Sequence, residues 1–256
     1  LIQDLKFKSL FIISKAGYIS VYAMRMLASQ NISLSFRNLN GDVIYDCIPH
    51  FAEVSPNIKL QQYKAYSEKR SLIAKEIIKA KQTNYNRLLT DYNYQTIDEN
   101  LPEEQFSRKY FKAFKSIVNR YGYQYENRRG KFGVLNLGAT NQLNSLLNFY
   151  YGLIEHRLIV DISRQGLDYQ ISYLHVPQTR KLSLAYDLIE YLRADIDRVV
   201  LGLAETGKIK ETDFTVNTDY YMLKQDKIAK YLKPIAKVEN MTSGVVEQFI
   251  ANYITV

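Results

Sequence analysis

One long stretch without a helix-breaking residue constrains the fold more than any other feature. From Ile58 to Thr90 the sequence contains neither Gly nor Pro and is rich in Ala, Lys, Gln and Leu, which favour helices. Several of its apolar residues recur with a helical period, namely Tyr66, Leu72, Ile73, Ile77 and Ala80. The stretch is therefore predicted to form one long helix with an apolar face.

More helices are predicted after this one. Pro102 suits the first turn of a helix, and the pattern from Glu103 to Tyr121 is helical. The other predicted helices are Ala139 to Arg164, Leu182 to Leu203, Asp219 to Lys233 and Val245 to Tyr253. The segment from Gly166 to Pro177 is predicted to be a strand-like or irregular connection.

The first fifty residues have a different pattern. Ser9 to Ile13 is a short apolar run suited to a buried strand, and Ser20 is a candidate cap for a helix from Val21 to Gln30. Asn40-Gly41 is the strongest turn signal in the chain, so Ile32 to Cys47 is predicted to be a β-hairpin.

The predicted fold class is therefore α+β, with a small N-terminal β-rich domain (1–50), a linker (51–57) and a larger all-α domain (58–256). Because the sequence starts at Leu1 rather than Met, we expect the first domain to be incomplete at its start. The single cysteine, Cys47, excludes a disulfide framework. There is no long apolar run for a membrane span and no export signal, so a cytoplasmic location without a membrane partner is predicted.

Basic residues are concentrated in two stretches of a chain whose formal net charge is +8. Lys59 to Arg87 has eight Lys or Arg against two Glu, and Arg108 to Lys131 has eight against one Glu. Six tyrosines interleave with them: Tyr63, Tyr66, Tyr85, Tyr121, Tyr123 and Tyr125. Lys and Arg neutralise phosphates and tyrosines stack on unpaired bases. A solvated basic helix face is the alternative interpretation.

Candidate chemistry centres on one of three histidines, His50, His156 and His175. His175 is followed twelve and fifteen residues later by Asp187 and Glu190, whose spacing places both carboxylates on one helical face. If one points inward, it needs a cation or a metal as partner; the alternative is an exposed acidic pair. Glu103 is a second candidate, although acids in a first helical turn also complement the helix dipole. Phosphate-binding glycine loops and the hydrolase motif GxSxG are absent from the sequence.

The order of five segments resembles the universal CRISPR-associated integrase (Cas-one) family, which inserts spacer DNA into CRISPR arrays. The segments are Ile12 to Pro49; Gln62-Tyr63 with Ile73-Ala74-Lys75, Ala80-Lys81 and Asn84; Glu103 with Arg108 and Tyr110-Phe111; Asn141 to Gly152; and Tyr173-Leu174-His175 with Leu182 to Glu190 and Arg193. The last is the closest match.

The resemblance implies a metal-dependent DNA endonuclease or integrase whose larger domain is catalytic. Glu103, His175 and Glu190 fall at the family's metal ligands, and two carboxylates with one imidazole suit Mg²⁺ or Mn²⁺. Asp187 is either a further ligand or a group that orients His175. In the family, a glycine follows the first ligating glutamate, and Glu104 stands at that position here. Whether Glu103 or Glu104 is the metal ligand is therefore open.

The resemblance also implies partners. These are DNA that is double-stranded with single-stranded ends, a second copy of the chain, and the small second universal CRISPR-associated protein. The predicted DNA-binding residues are Arg108, Lys112, Arg128, Arg129, Lys131, Arg180 and Lys181. Two alternatives remain open: a casposase, which is a transposon integrase with the same catalytic domain, and a catalytically silent helical nucleic-acid-binding protein.

Overall fold

The structure is a computed structural model that describes residues 9–13, 16–37, 43–49, 56–125, 139–177, 182–216 and 220–254. A small N-terminal sheet with one helix precedes a larger, mainly helical part. This order of a β-rich and then a helical region agrees with the predicted arrangement.

The N-terminal sheet has three strands in the order β1-β2-β3. Strand β1 (Ser9–Ile12) pairs in parallel with β2 (Ser33–Arg37), and helix α1 (Val21–Ser29) connects them. Strand β3 (Val43–Cys47) pairs with β2 in the antiparallel sense, as the predicted hairpin requires. The Asn40-Gly41 turn itself lies outside the described residues.

The start of α1 confirms its predicted cap, because Oγ of Ser20 accepts a hydrogen bond from the Ala23 amide at 3.1 Å. None of the nine residues of α1, all of which are described, is buried. Tyr22 is 67% exposed, and Ile44 and Tyr45 of β3 are exposed as well. The N-terminal part therefore presents apolar side chains to solvent.

The helical part begins with α2 (Pro56–Asp91) and α3 (Glu103–Arg120), followed by α4 (Gln142–Arg164). Helix α2 starts at Pro56, inside the predicted linker. Its register differs in one place from the predicted apolar face, because Ile73 and Ile77 are fully buried whereas Leu72 is 56% exposed.

The predicted helix from Leu182 to Leu203 is wrong, since it is broken into three pieces. Helix α5 (Ser183–Leu188) is followed by a 3₁₀ turn (Ile189–Tyr191) and then by α6 (Arg193–Glu205). No Gly or Pro marks this break in the sequence. The tighter winding of the 3₁₀ turn gives Glu190 its position beside α2.

The all-α prediction for the second domain is also wrong. Strands β4 (Phe214–Val216) and β5 (Tyr221–Leu223) form an antiparallel pair, and β5 lies within the predicted helix from Asp219 to Lys233. Helix α7 (Ile228–Phe249) then runs through Pro234 and continues into a π-helical turn (Ile250–Ile254), so the predicted helix from Val245 to Tyr253 is its end.

The core of the larger part lies where α4 packs against α6 and α7, with α2 packed on α6 and on the 3₁₀ turn. The predicted connection from Gly166 to Pro177 is irregular. None of the helices within the described ranges is both long and apolar enough to cross a membrane.

Two neighbouring side chains of α2 test its register. Replacing the buried Ile73 by Ala is expected to lower the free energy of unfolding by about 2–5 kcal/mol, because it leaves a cavity in the core. Replacing the exposed Leu72 by Ala is expected to change it by less than about 0.5 kcal/mol. Urea unfolding followed by circular dichroism measures both; similar losses for the two variants would contradict this register.

Candidate active site

One lysine joins two of the predicted metal-ligating carboxylates. Nζ of Lys81 lies 2.7 Å from Oε1 of Glu103 and 2.8 Å from Oε2 of Glu190. The Lys81 and Glu190 side chains are only 12% and 4% exposed, whereas Glu103 is 41% exposed and faces solvent. Three elements thus meet at this point: α2, the first turn of α3, and the 3₁₀ turn.

Buried amides of α2 fix the start of α3 beside Lys81. Nε2 of Gln82 donates to the Leu101 carbonyl at 3.1 Å, and the side chain of Asn86 donates to and accepts from the backbone of Ile97. The loop between the two helices is therefore tied to α2. Ser107, one turn into α3, donates to Oε1 of Glu103 at 2.9 Å and helps to orient that carboxylate.

Glu190 has a second cationic partner. Nε of Arg193 donates to Oε1 of Glu190 at 2.7 Å. Burial raises the pKa of Glu190, but Arg193 and Lys81 outweigh it and hold the pKa below its usual value. The pKa of Glu103 is likewise lowered, because Lys81 outweighs partial burial. Both carboxylates are therefore charged at neutral pH.

Arg193 packs against a buried network of tyrosine hydroxyl groups and one aspartate. Its guanidinium lies 4.9 Å from the centre of the Tyr151 ring. The hydroxyl groups of Tyr151 and Tyr110 donate to the two oxygens of Asp197 at 2.9 and 2.7 Å. The Tyr85 ring stacks on Tyr110 with its centre 3.6 Å away. The network restricts Arg193 and hence Glu190.

His175 forms the other half of the site, in the irregular segment before α5. Its ring Nδ1 lies 2.7 Å from Oδ1 of the fully buried Asp187. This hydrogen bond raises the pKa of His175. The charge of Glu190 raises that pKa further.

Asp187 also organises the backbone around the histidine. Its oxygens accept hydrogen bonds from the amides of Tyr173, Leu174 and His175. Both oxygens are thus already engaged within the protein, which favours the orienting role for Asp187 over the ligand role. The interpretation of Asp187 and Glu190 as an exposed pair is wrong, because both are buried.

The structure distinguishes Glu103 from Glu104 by position. Glu103 faces Lys81, whereas Glu104 forms an exposed pair with Arg108, one turn further along α3. The predicted DNA-binding residues Arg108 and Lys112 are exposed on α3. The remaining five lie outside the described residues: Arg128, Arg129, Lys131, Arg180 and Lys181.

Exposed basic residues follow one side of α3 away from Glu103, and we call them the α3 basic stripe: Arg108, Lys109, Lys112 and Lys115. The six tyrosines predicted to stack on bases differ in exposure, and three of them are half-buried: Tyr66, Tyr121 and Tyr123. Tyr85 and Tyr125 are buried in the core and cannot serve, whereas Tyr63 is exposed. Arg70 of the other basic stretch donates to the Tyr173 carbonyl and thereby supports the segment that carries His175.

The other histidines are away from this site or undescribed. His156 is buried on α4, where Nδ1 lies 3.3 Å from Asp46 of β3 and the ring contacts Phe11 of β1. It joins the N-terminal sheet to the helical part, a structural role. His50 lies outside the described residues.

The predicted metal ligands differ in how closely the fold brings them together. Among the described residues, no three His, Cys, Asp or Glu side chains lie close enough together to hold an ion. Glu103 and Glu190 nevertheless converge on one cation, because the Lys81 ammonium lies within ion-pair distance of an oxygen of each. Two carboxylates and one imidazole are donor types that Mg²⁺ and Mn²⁺ accept, so the chemistry of these residues fits such a group.

Comparison with known proteins shows the family. The profile described as "CRISPR associated protein Cas1" matches residues 4–104 and 101–237. Because these matches extend over most of its length, the chain belongs to the Cas1 family of CRISPR-associated proteins, as the sequence resemblance predicted.

Two curated relatives carry the same family name. "CRISPR-associated endonuclease Cas1" of Fusobacterium nucleatum is 28% identical over 197 residues, which cover 70% of this chain and 58% of the relative. "CRISPR-associated endonuclease Cas1 1" of Archaeoglobus fulgidus is 28% identical over 254 residues, covering 82% of this chain and 71% of the relative. The chain therefore spans less than two thirds of the first of these proteins.

Solved structures show the same fold. A CAS1 protein from Thermotoga maritima has a TM-score of 0.84 at 20% identity, covering 99% of this chain and 88% of that one. A casposase bound to integration product has a TM-score of 0.83 at 24% identity, covering 98% and 79%. A chain of a partial Cas6-RT-Cas1–Cas2 complex has a TM-score of 0.59 at 14% identity, covering 97% and 87%.

Replacing Asp187 by Asn tests its role as the organiser of the His175 segment. The change removes a charge and replaces one accepting oxygen by a donor, so it is expected to lower the free energy of unfolding by about 1–3 kcal/mol. It is also expected to lower the pKa of His175, because Asp187 is what raises it. Chemical unfolding and an NMR titration of the metal-free protein measure the two effects.

The matched control is Asp226→Asn, which removes an exposed carboxylate that pairs with its neighbour Lys227. It is expected to leave both stability and the pKa of His175 unchanged. An unchanged His175 pKa in Asp187→Asn would contradict the assigned contact.

Proposed function

We propose that this protein is a metal-dependent DNA endonuclease and integrase, which joins the 3′-hydroxyl ends of spacer DNA into a CRISPR array by phosphoryl transfer. The observation that carries the proposal is the convergence of Glu103 and Glu190 on one cation, Lys81. Membership of the Cas1 family agrees with it.

The residues of the candidate site have different proposed roles. Glu103, Glu190 and His175 would hold Mg²⁺ or Mn²⁺, which when bound supplies charge neutralisation at a phosphate and activation of an attacking oxygen. Asp187 orients the imidazole by engaging Nδ1, which leaves Nε2 as the nitrogen that faces outward for binding. Arg193 holds the buried Glu190 in place.

The α3 basic stripe would hold the DNA. Lys115 lies seven positions after Arg108. Because a helix rises by about 1.5 Å per residue, the stripe extends over roughly 10 Å. Exposed Lys and Arg bind phosphates without reading the base sequence. This fits an enzyme that accepts spacers of any sequence.

Partners are proposed on two observations. The exposed apolar side chains of α1 and β3, among them Tyr22 and Ile44, suit a contact with a second copy of the chain. A neighbour in fold is part of a Cas1–Cas2 complex, and we propose the small second universal CRISPR-associated protein as a further partner here.

A casposase remains the second candidate, because a casposase bound to integration product has nearly the same TM-score as the Thermotoga protein. Both candidates use the same chemistry. The gene neighbourhood distinguishes them: a CRISPR array beside the gene favours spacer integration, and the terminal repeats of a transposon favour the casposase.

Strand transfer tests the proposal directly. The protein is incubated with Mn²⁺, a short duplex with 3′ overhangs and a supercoiled plasmid, and joined products are measured. His175→Ala and Glu103→Gln are expected to reduce joining by about two orders of magnitude or more, because each removes a metal donor. DNA binding should be largely retained in both.

Glu104→Gln is the matched control, since Glu104 is adjacent to Glu103 but points to Arg108. It is expected to keep parental joining. Full joining by His175→Ala would refute the assignment, and DNA binding without any Mn²⁺-dependent joining or cleavage by the parent would favour the silent nucleic-acid-binding protein.

The α3 basic stripe makes its own prediction. Replacing Lys112 and Lys115 by Gln is expected to weaken DNA binding equally for all sequences, and to reduce the slope of log affinity against log salt by about 1 to 2. Fluorescence anisotropy at several salt concentrations measures this. Lys233→Gln with Lys237→Gln, two exposed lysines of α7, is the control pair; an equal loss from that pair would contradict a specific role for the stripe.

A further inference from the structure

The Lys81 ammonium occupies the position between the two carboxylates. It contacts an oxygen of Glu103 and an oxygen of Glu190 at ion-pair distances. A divalent cation that used the same two oxygens would have to lie between them as well. An ammonium and a metal ion cannot share that position, both because of their size and because like charges at this separation repel strongly.

The net charge of the site also indicates that Lys81 and a divalent cation cannot both occupy it. Glu103 and Glu190 carry two negative charges, and Lys81 and Arg193 contribute two positive ones. The net charge of these four side chains is therefore zero without a metal ion. Adding a divalent cation while Lys81 stays in place would leave an excess of two positive charges in a largely buried setting, which is unfavourable.

The surroundings of Lys81 allow its side chain to move while the helix stays. Ile77 and Tyr85, one turn on either side, are fully buried. Nδ2 of Asn84 donates to the Tyr191 carbonyl at 2.9 Å and independently ties α2 to the 3₁₀ turn. Lysine carries its charge on a flexible four-carbon stem, so the ammonium can leave the carboxylates without displacement of α2.

We propose that Lys81 is the resident counter-ion of the active site, which holds Glu103 and Glu190 together before a divalent cation is bound and leaves them when one binds. This inference rests on the proposed function, because it takes the two carboxylates to be metal ligands. Lys81 is a positioning residue that competes with the metal, and it sets how tightly the metal is held.

Lys81→Met tests the competition, because Met keeps an unbranched stem of similar length and removes the charge. Isothermal titration with Mn²⁺ alone, without DNA, is expected to show a dissociation constant lower than the parent's by about tenfold or more. The melting temperature of the metal-free variant is expected to fall, and the rise in melting temperature on adding Mn²⁺ to become larger.

Two variants serve as controls. Lys79→Met, two residues earlier on the exposed side of α2, is expected to match the parent in both measurements. Lys81→Arg keeps the positive charge and is expected to bind Mn²⁺ no more tightly than the parent. If Lys81 had only a structural role, Lys81→Met would bind Mn²⁺ more weakly than the parent, because a less ordered site holds its metal less well.

A second measurement uses the parent protein and does not depend on the folding of a variant. Acetylation of lysines by acetic anhydride is followed by mass spectrometry with and without Mn²⁺. Acetylation of Lys81 is expected to increase several-fold when Mn²⁺ is present, because the amine is released from the carboxylates, while that of Lys79 stays constant.

The outcomes separate this inference from the proposed function. Parental or weaker Mn²⁺ binding by a folded Lys81→Met, or acetylation of Lys81 that Mn²⁺ leaves unchanged, overturns the counter-ion role alone, provided that Glu190→Gln abolishes Mn²⁺ binding. Mn²⁺ binding that is undetectable in the parent, or that Glu190→Gln leaves intact, overturns both the inference and the proposed metal site.

Discussion

The buried carboxylate of Glu190 is the constraint on which the rest of the site depends. A charged group removed from water costs several kcal/mol unless it is paired. Glu190 is paired on both sides, with Lys81 from α2 and with Arg193 at the start of α6. These pairs require α2 and the 3₁₀ turn to lie next to each other at Glu190. The loop before α3, which Gln82 of α2 holds by a hydrogen bond, brings Glu103 to the same Lys81 ammonium.

The second buried acid, Asp187, performs a different task. Its oxygens are consumed by three backbone amides and by the His175 ring. An irregular segment that lacks the hydrogen bonds of a helix or strand is thereby satisfied internally. The fold thus uses one buried acid to shape a loop and the other to attract cations, although both come from adjacent turns of the same predicted helix.

Much of the fold was predictable because it depends on local pattern. The length of α2 follows from the absence of Gly and Pro after its first residue, and the Ser20 cap and the β2–β3 pairing follow from side chains close in sequence. The 3₁₀ turn at Glu190 was not predictable, because its residues are ordinary helix formers and tertiary ion pairs decide its geometry. The β4–β5 pair and the passage of α7 through Pro234 were missed for a similar reason.

The candidate site was predictable only in part. The resemblance indicated Glu103, His175, Asp187 and Glu190, and the structure brings Glu103 and Glu190 to a common cation. Lys81 was visible as one of eight basic residues in its stretch and within the Ala80-Lys81 pair of a resembling segment. Neither observation predicted its partners, because a lysine that joins a buried ion pair carries no local signal. Tyr85 was a candidate for stacking on bases, because the sequence does not show that its ring stacks on Tyr110 inside the core.

The most direct test is the position of Mn²⁺ in crystals of the full chain, found from its anomalous scattering. A single strong peak is expected within coordination distance of Glu103, Glu190 and His175, with the Lys81 side chain turned away from the carboxylates. A peak elsewhere, or carboxylates that stay bound to Lys81 at saturating Mn²⁺, would contradict the assembly of these side chains into one metal-binding active site.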